Sequence, residues 1–258
     1  MKLRVLAVGV WLPGVADNAV WLSGAHMDTQ APPAAALLPP MTRRRCSALT
    51  RALADVFGQV TAATDRAQVC SVFASAYGET GVLAELLEQL ALGEDLSPIR
   101  FSGSVHNSAA GQVSIVCGNR ALTTSIAAGR DTVALALLEA QGLLRDGVAQ
   151  VAVVCGDVQP PTGLSSERFS PLAAGLLLDA APSNGDELAL LADLMEDAML
   201  ADAASLPEAV WANPCCGALL LADTVLRQRS LRIGLSPHGG QGWGVDVTLA
   251  MPPPPEAA

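Results

Sequence analysis

The side chains of this sequence that could do covalent chemistry are its six cysteines, because a thiolate can attack a carbonyl carbon or bind a metal ion. No two of them have CxxC spacing, and the adjacent Cys215 and Cys216 cannot easily bind one metal ion, so we predict no metal site. The chain is too long to need a disulfide framework, so we expect reduced thiols, with Cys70 and Cys155 in the core. The six are Cys46, Cys70, Cys117, Cys155, Cys215 and Cys216.

Three histidines could act as bases, and they lie in separate parts of the chain: His26, His106 and His238. A lone histidine is more often structural than catalytic, so none of them defines a site. Four common motifs are also absent, namely GxGxxG after the first strand, GxxxxGKS/T, GxSxG and HExxH. Their absence argues against dinucleotide binding, nucleoside-triphosphate binding, the α/β-hydrolase nucleophile and zinc-peptidase chemistry.

Two groups of charged side chains are expected at the surface. Arg43, Arg44 and Arg45 are predicted to begin a helix capped by Thr42, in a solvated or partner-facing position, because a phosphate site would favour glycine-rich backbone. Five acidic side chains follow at helical spacing and are predicted to form a solvated face, which argues against acid-base catalysis there. They are Glu79, Glu85, Glu88, Glu94 and Asp95.

Composition excludes several classes of function. The 258-residue chain is 51% hydrophobic and 16% charged with a net charge of -10, which argues against disorder and against a nucleic-acid-binding surface. No stretch approaches the ~20 consecutive apolar residues of a membrane helix, so we predict a cytoplasmic protein with no membrane contact. We predict one domain over residues 1–250 and a disordered proline-rich tail over residues 251–258.

The hydrophobic pattern predicts alternating strands and helices, the order of a parallel sheet with right-handed crossovers. Strands are predicted where short apolar runs are bounded by turn residues: 3–11, 69–74, 122–126, 148–155, 172–179 and 245–249. Helices are predicted where apolar residues recur at helical spacing: 42–57, 78–90, 131–144, 187–203 and 217–227. The Ala- and Pro-rich residues 30–40 are predicted to be a connection.

A more specific signal lies in the middle of the chain. Residues 104–115 read SVHNSAAGQVSI, and Gly118 and Arg120 follow. The pattern Asn-x-Ala-Ala-Gly-x-x-Ser-Ile, which starts at Asn107, resembles a stretch of the thiolase-like β-ketoacyl synthases. Those enzymes continue with a short strand, a nucleophilic cysteine at the start of a buried helix, a glycine and a strand that ends in glycine. This sequence has the same order of elements without a gap.

The resemblance implies a degenerate nucleophile position. Counted from Asn107 and from Gly147, the family's cysteine falls on Arg130, with Asp131 beside it. Residues 126–133 contain neither Cys nor Ser, so a slip of one or two residues restores no nucleophile. Claisen condensation needs an acyl thioester on an activated thiolate, which a guanidinium cannot form. The resemblance therefore implies that the chain has no catalytic residue and no cofactor.

The resemblance also implies a fold class, α/β with a thiolase-like mixed sheet packed by helices. The chain resembles mainly the N-terminal half of a ketosynthase, with a truncated C-terminal half. That half normally supplies two histidines beside the nucleophile, and here only His238 lies in a comparable glycine-rich turn.

Over residues 3–179 the sequence is similar to short β-ketoacyl-synthase-like N-terminal domain proteins found with bacterial aryl polyene pathways. Residues 73–79, 96–98 and 104–107 carry this likeness. In related systems a cysteine-less chain-length factor dimerises with an active ketosynthase and shapes the tunnel in which the polyketide grows. The resemblance thus implies an active ketosynthase as partner. Contact with acyl carrier protein would be indirect, because both surfaces are acidic.

The resemblance further implies a dimer seam and a tunnel. Synthases of this fold pair two subunits through the short strand before the nucleophile helix. In this sequence that strand contains Thr123, Thr124, Ser125 and Ile126. His106 and Asn107 are implied to lie near the seam or tunnel, and a structural turn role for Asn107 is equally open.

Two other functions stay open on the sequence. A condensing or acyl-transfer enzyme could use a relocated thiol at Cys117 or Cys155, although neither is predicted at a helix start, where a thiol pKa is lowered. A homodimeric acyl-chain-binding module would need no nucleophile.

Overall fold

The computed structural model describes residues 2–24, 32–180, 182, 187–191, 194–196, 206–236 and 242–249. The strands of this part are β1 Leu3–Trp11, β2 Cys70–Ala74, β3 Thr123–Ile126, β4 Val151–Asp157, β5 Leu172–Asp179, β6 Ala189–Leu191, β7 Leu231–Gly234 and β8 Gly244–Leu249. The helices are α1 Asn18–Ser23, α2 Pro40–Arg45, α3 Ala48–Val60, α4 Thr80–Ala91, α5 Pro98–Ser102, α6 Ser108–Cys117, α7 Thr132–Arg145, α8 Glu208–Trp211 and α9 Cys216–Leu226.

These strands form one mixed sheet with the order β3-β2-β4-β5-β1-β6-β8-β7. β2 pairs in parallel with β3 on one side and with β4 on the other, whereas the remaining pairs are antiparallel. The parallel arrangement predicted from the strand-helix-strand order therefore holds for β2, β3 and β4 alone. The whole is the thiolase-like mixed α/β sheet that the resemblance implied.

Helices cover both faces of the sheet. One face packs against α3 and α6, and the other packs against α7 and α9. In α3 the apolar residues recur at helical spacing, so that Leu53, Val56 and Phe57 lie together and are almost fully buried. Burial of each such side chain contributes about 1.5–3 kcal/mol.

Most predicted elements agree with the structure. β1 and β5 have the predicted bounds, and β2, β3, β4, β8, α7 and α9 are shifted by three residues or fewer at either end. The predicted connection leads into Pro40, where α2 begins, and residues 30 and 31 lie outside the described residues.

The helix predicted over residues 42–57 is wrong, because two helices occupy that stretch. Cys46 has extended backbone (ψ 144°) and ends α2, and Ser47 caps α3 by accepting a hydrogen bond from the Thr50 amide at 2.9 Å. Thr42 lies inside α2 and caps neither helix. The three arginines lie in the last turn of α2, where the helix dipole favours cations.

The helix predicted over residues 187–203 is also wrong where the structure describes it. Ala189–Leu191 forms β6, because these residues pair with β1 on one side and with β8 on the other. Residues 197–203 and the predicted tail lie outside the described residues. Among the described residues, no helix has the length and apolar character to cross a membrane.

Candidate functional site

Arg130, the predicted degenerate nucleophile position, lies in a short 3₁₀ turn between β3 and α7. The turn spans Gly129–Asp131, and Gly129 has a left-handed φ of 56°. The Thr132 hydroxyl accepts a hydrogen bond from the Ala128 amide at 3.1 Å and donates to the Gly129 carbonyl at 2.8 Å. These bonds hold the turn at the start of the buried helix α7. The enzymes that the sequence resembles have their nucleophile at this place.

The environment of Arg130 is charged and open to solvent. Arg130 is exposed, so the unfavourable helix dipole is screened by water. It lines a cavity of about 410 Å³. The other lining residues are Glu167, Arg168, Glu208, Ala209, Ala212 and Pro214. The lining that the structure describes includes no cysteine or histidine.

The structure also describes Asp131, predicted beside Arg130, and His106 and Asn107, predicted near the seam or tunnel. The Asp131 carboxylate accepts a 3.3 Å hydrogen bond from the Ser236 hydroxyl. His106 Nε2 lies 2.8 Å from the Ser75 carbonyl oxygen, directly after β2. Asn107 is exposed immediately before α6, where its side chain makes no capping hydrogen bond. The predicted histidines His26 and His238 lie outside the described residues.

Gly78 explains why His106 can approach the segment after β2. Its φ is +56°, and a Cβ atom built there would lie 2.6 Å from the His106 ring carbon Cδ2. A side chain at this position would be strained and would also displace the imidazole. Gly78 therefore positions His106 as a structural contact with the turn that leads into α4.

The sequence analysis missed the hydrogen-bonded network around Asp157 at the end of β4. The buried Asp157 carboxylate accepts bonds from the Ser75 hydroxyl at 2.5 Å, the Ala76 amide at 2.8 Å and the Tyr77 amide at 3.0 Å. The Cys215 thiol is also within hydrogen-bonding distance, at 3.3 Å. Burial raises the pKa of Asp157, and the hydrogen bonds from Ser75 and the two amides oppose that rise. The signal available in the sequence for this network was an aspartate just after a predicted apolar strand.

Glu79 corrects the prediction of a uniformly solvated acidic face. It is buried, and its Oε1 atom accepts hydrogen bonds from the Ser47 hydroxyl at 2.8 Å and the Thr50 hydroxyl at 2.7 Å. Burial raises the pKa of the Glu79 carboxyl, and the two hydroxyls oppose the rise. Glu79 precedes α4 and turns toward α3, whereas the other four acidic side chains are exposed as predicted.

β3, the predicted seam strand, lies at one end of the sheet order, and no described strand pairs with its outer edge. The Ser71 amide donates to the Leu122 carbonyl, and the Ser75 amide donates to the Ile126 carbonyl. Because alternate residues of a parallel strand bond to one neighbour, the backbone groups of Thr123 and Ser125 point away from β2. The outer edge therefore presents backbone donors and acceptors that another strand could pair with.

Two hydroxyl side chains of β3 contact the neighbouring strand or are buried. Large apolar side chains next to β3 are exposed. The Ser71 and Thr123 hydroxyls hydrogen bond to each other. The Ser125 hydroxyl is buried and has no hydrogen-bond partner among the described residues. Leu122, directly before β3, is 51% exposed, and Ile115, on the neighbouring α6, is 76% exposed. Exposed large apolar side chains beside an unpaired strand edge are typical of a protein–protein interface.

The cysteines fall into two groups by burial. Cys155, Cys215 and Cys216 are buried, whereas Cys46, Cys70 and Cys117 are half-buried. Burial raises the pKa of Cys155 and of Cys216 to about 12, and it raises the pKa of Cys215 well above that of an ordinary thiol. Cys117, at the C-terminal end of α6, also has a pKa raised by burial. Neither Cys155 nor Cys117 has the environment of a reactive thiolate.

We therefore expect no fast-reacting cysteine when the folded chain is treated with iodoacetamide at neutral pH, because the thiolate is the reactive form. The three half-buried thiols should react slowly and the three buried thiols only after unfolding in urea, as followed by mass spectrometry of the peptides. The urea-treated sample is the control in which all six react. One rapidly modified cysteine in the folded chain would contradict the expectation and favour a relocated nucleophile.

One protein-family model matches the sequence of this chain, and several solved structures have a similar fold. The family model described as "Beta-ketoacyl synthase, N-terminal domain" matches residues 19–232. A chain from the ketosynthase ApeO in complex with its chain length factor ApeC, from Xenorhabdus doucetiae, is 23% identical with a TM-score of 0.73, over 96% of the present chain and 99% of that chain. A chain of the ishigamide ketosynthase/chain length factor is 15% identical with a TM-score of 0.72, over 97% and 100% of the two chains.

A β-ketoacyl synthase from Burkholderia phymatum STM815 is 12% identical with a TM-score of 0.59, over 86% of the present chain and 70% of that chain. No curated protein gives a significant sequence match. At these identities the superpositions show a shared fold.

Proposed function

The chain belongs to the β-ketoacyl synthase N-terminal domain family, and on that premise we propose that it is a non-catalytic ketosynthase-like subunit. In this role it forms a heterodimer with an active β-ketoacyl-acyl carrier protein synthase and lines part of the tunnel that receives the growing chain. It acts in the cytoplasm beside its partner and uses no cofactor.

The observation that carries this proposal is the unpaired outer edge of β3. Thr123 and Ser125 present their backbone groups outward, and the exposed Leu122 and Ile115 add apolar contact area beside them. A partner strand that pairs with this edge would satisfy the free backbone groups and bury the apolar side chains. Thr123, Thr124, Ser125 and Ile126 would thereby form the seam of the heterodimer.

The non-catalytic part of the proposal rests on Arg130. In condensation the acyl group is held as a thioester, which forms when a thiolate attacks the acyl carbonyl and the carrier thiol leaves. The Arg130 guanidinium is cationic at neutral pH and has no lone pair available for this attack. The active partner must therefore hold the acyl group, and this subunit contributes surface and shape.

The tunnel part of the proposal rests on His106 and Asn107. These residues lie between α5 and α6, and His106 contacts the segment that follows β2. With β3 at the seam, they would lie on the side of this subunit that meets the partner. Two of the chains with the same fold come from ketosynthase and chain length factor assemblies, which supports the proposal of a ketosynthase partner.

The net charge of the chain supports a proposal about which subunit binds the acyl carrier protein. The chain has a net charge of -10, so an acidic acyl carrier protein would be repelled by its surface. The carrier would dock on the ketosynthase subunit, and this chain would meet it only indirectly. By its resemblance to proteins of aryl polyene pathways, we propose that the growing chain is of the polyketide or fatty acid type.

The direct test is co-expression of the chain with the ketosynthase encoded beside it, followed by affinity purification and size-exclusion chromatography. We expect both chains to elute together in equal amounts, and condensing activity to require the ketosynthase cysteine. An unrelated ketosynthase of similar size is the control for nonspecific association. Elution as a lone protein or a stable homodimer that ignores its ketosynthase would contradict the proposal, and a homodimer would favour an acyl-chain-binding module.

A further inference from the structure

A second cavity, separate from the one at Arg130, has a volume of about 720 Å³ and lies between α2, α5, α6 and the starts of α3 and α4. Its volume is within the roughly 300–1,000 Å³ range of ligand sites. Its charged lining residues differ in burial: the Glu79 carboxylate is buried, whereas Arg44, Arg45 and the paired Arg100 and Glu85 are exposed. This distribution restricts the class of molecule that the cavity can bind.

The floor of the cavity carries the buried Glu79 carboxylate. Ser47 and Thr50 both donate to Oε1, so the position of this carboxylate is well defined. No group among the described residues donates a hydrogen bond to Oε2, and this atom is not among the fully buried ones that lack a partner. Glu79 lines the cavity, so Oε2 is an acceptor available to a bound molecule.

The mouth of the cavity is positively charged. Arg44 and Arg45 line it, are exposed, and form no ion pair with another described residue. Arg100 also lines the cavity but is already paired with Glu85. Two free guanidiniums at the entrance favour an anionic group on the ligand and disfavour a cationic one.

Apolar side chains also line the cavity. Val82, Ile99 and Val158 contribute carbon surface to the lining. A short hydrocarbon segment packed against them would be removed from water, which stabilises binding in proportion to the apolar area buried. The cavity thus combines a buried acceptor, an apolar part of the lining and exposed cations.

We propose that this cavity binds an acyl chain with a neutral hydroxyl group at its far end, which donates a hydrogen bond to Glu79 Oε2, and an anionic or polar group near Arg44 and Arg45. An anion at the far end would be repelled by Glu79, and an amine would be repelled on entry past the arginines. A methyl end would leave the carboxylate oxygen without a donor. The inference rests on the proposed function for the origin of the chain, and it adds a preference for a hydroxyl terminus.

The test is isothermal titration calorimetry of the full chain with ω-hydroxyoctanoate and with octanoate. We expect the hydroxylated acid to bind about tenfold more tightly, the usual effect of a hydrogen bond to a charged acceptor. Glu79→Gln keeps one side-chain oxygen as acceptor for Ser47 and Thr50 but replaces Oε2 by an amide nitrogen, which cannot accept a hydrogen bond. The preference for the hydroxylated acid should therefore fall to about twofold or less. Replacement of both Arg44 and Arg45 by alanine should weaken the two acids equally.

Glu88→Gln is the matched control, because Glu88 is an exposed glutamate of α4, the helix that Glu79 precedes, and does not line the cavity. It should leave the preference unchanged. Equal binding of the two acids, binding of neither, or an unchanged preference in Glu79→Gln would each overturn the inference. Failure of the proposed heterodimer would instead be seen in co-purification, so the two failures are distinguishable.

Discussion

Replacement of Ser125 by proline is expected to abolish association with the ketosynthase while the chain stays folded. The Ser125 amide points away from β2, so its loss removes no hydrogen bond within the sheet. Proline is tolerated on a strand edge at such a position but cannot donate to a partner strand. We expect the dissociation constant of the heterodimer to rise at least about 100-fold, as loss of backbone pairing and displacement of adjacent contacts act together. Surface plasmon resonance with immobilised ketosynthase measures this change.

Ser125→Ala is the matched control, because it keeps the backbone amide and removes only the hydroxyl. That hydroxyl is buried and has no partner in the part of the chain that the structure describes, and an unsatisfied buried group destabilises a fold, so the alanine variant should be as stable as the parent or more stable. It should also bind the ketosynthase normally. Normal binding by Ser125→Pro, with an unchanged circular dichroism spectrum, would show that the outer edge of β3 is not the seam.

Replacement of Asp157 by alanine is expected to produce the largest loss of stability. The change removes the common acceptor of the Ser75 hydroxyl and of the Ala76 and Tyr77 amides, at a point where the segment after β2, the end of β4 and Cys215 meet. Each buried donor left without an acceptor costs about 1–3 kcal/mol, partly offset because the buried carboxylate no longer has to be desolvated. We expect the free energy of unfolding in urea to fall by about 3 kcal/mol.

Asp157→Asn separates the effect of shape from that of hydrogen bonding. An asparagine keeps one oxygen acceptor but places an NH₂ group against donors. Its free energy of unfolding should therefore lie between those of the parent and the alanine variant. Asp246→Ala is the surface control, since Asp246 pairs with Arg232 in an exposed position and should shift the urea midpoint very little. An unchanged midpoint in Asp157→Ala would mean that the three donors find other acceptors.

Local patterns were sufficient for many elements. β1 and β5 have the predicted bounds because each is a predominantly apolar segment in a strand buried on both faces. α7 and α9 agree within a few residues because apolar side chains recur at helical spacing and a turn residue lies near each helix end. Such patterns depend on neighbours in the chain, which a sequence displays directly.

Local patterns were misleading where a distant partner decided the outcome. Glu79 lies in a run of acidic residues at helical spacing, yet it is buried because Ser47, 32 residues away, and Thr50, 29 residues away, donate to it. Ala189–Leu191 was expected in a helix but is a strand because β1 and β8 supply backbone partners on both sides. The sequence does not mark the break between α2 and α3 at Cys46, because the apolar residues at helical spacing all lie in α3 and residues 42–48 contain no apolar pattern.

The residue types at the candidate site follow from the primary structure alone. The absence of Cys and Ser over residues 126–133 and the position of Arg130 before a helix are properties of the chain read in order. The order of strands, the free outer edge of β3 and the network at Asp157 are properties of the folded sheet. They depend on hydrogen bonds between groups as far apart as Ser75 and Asp157, 82 residues along the chain. Local spacing cannot specify such pairs, because the free energy that selects them comes from burial and hydrogen bonding in the assembled core.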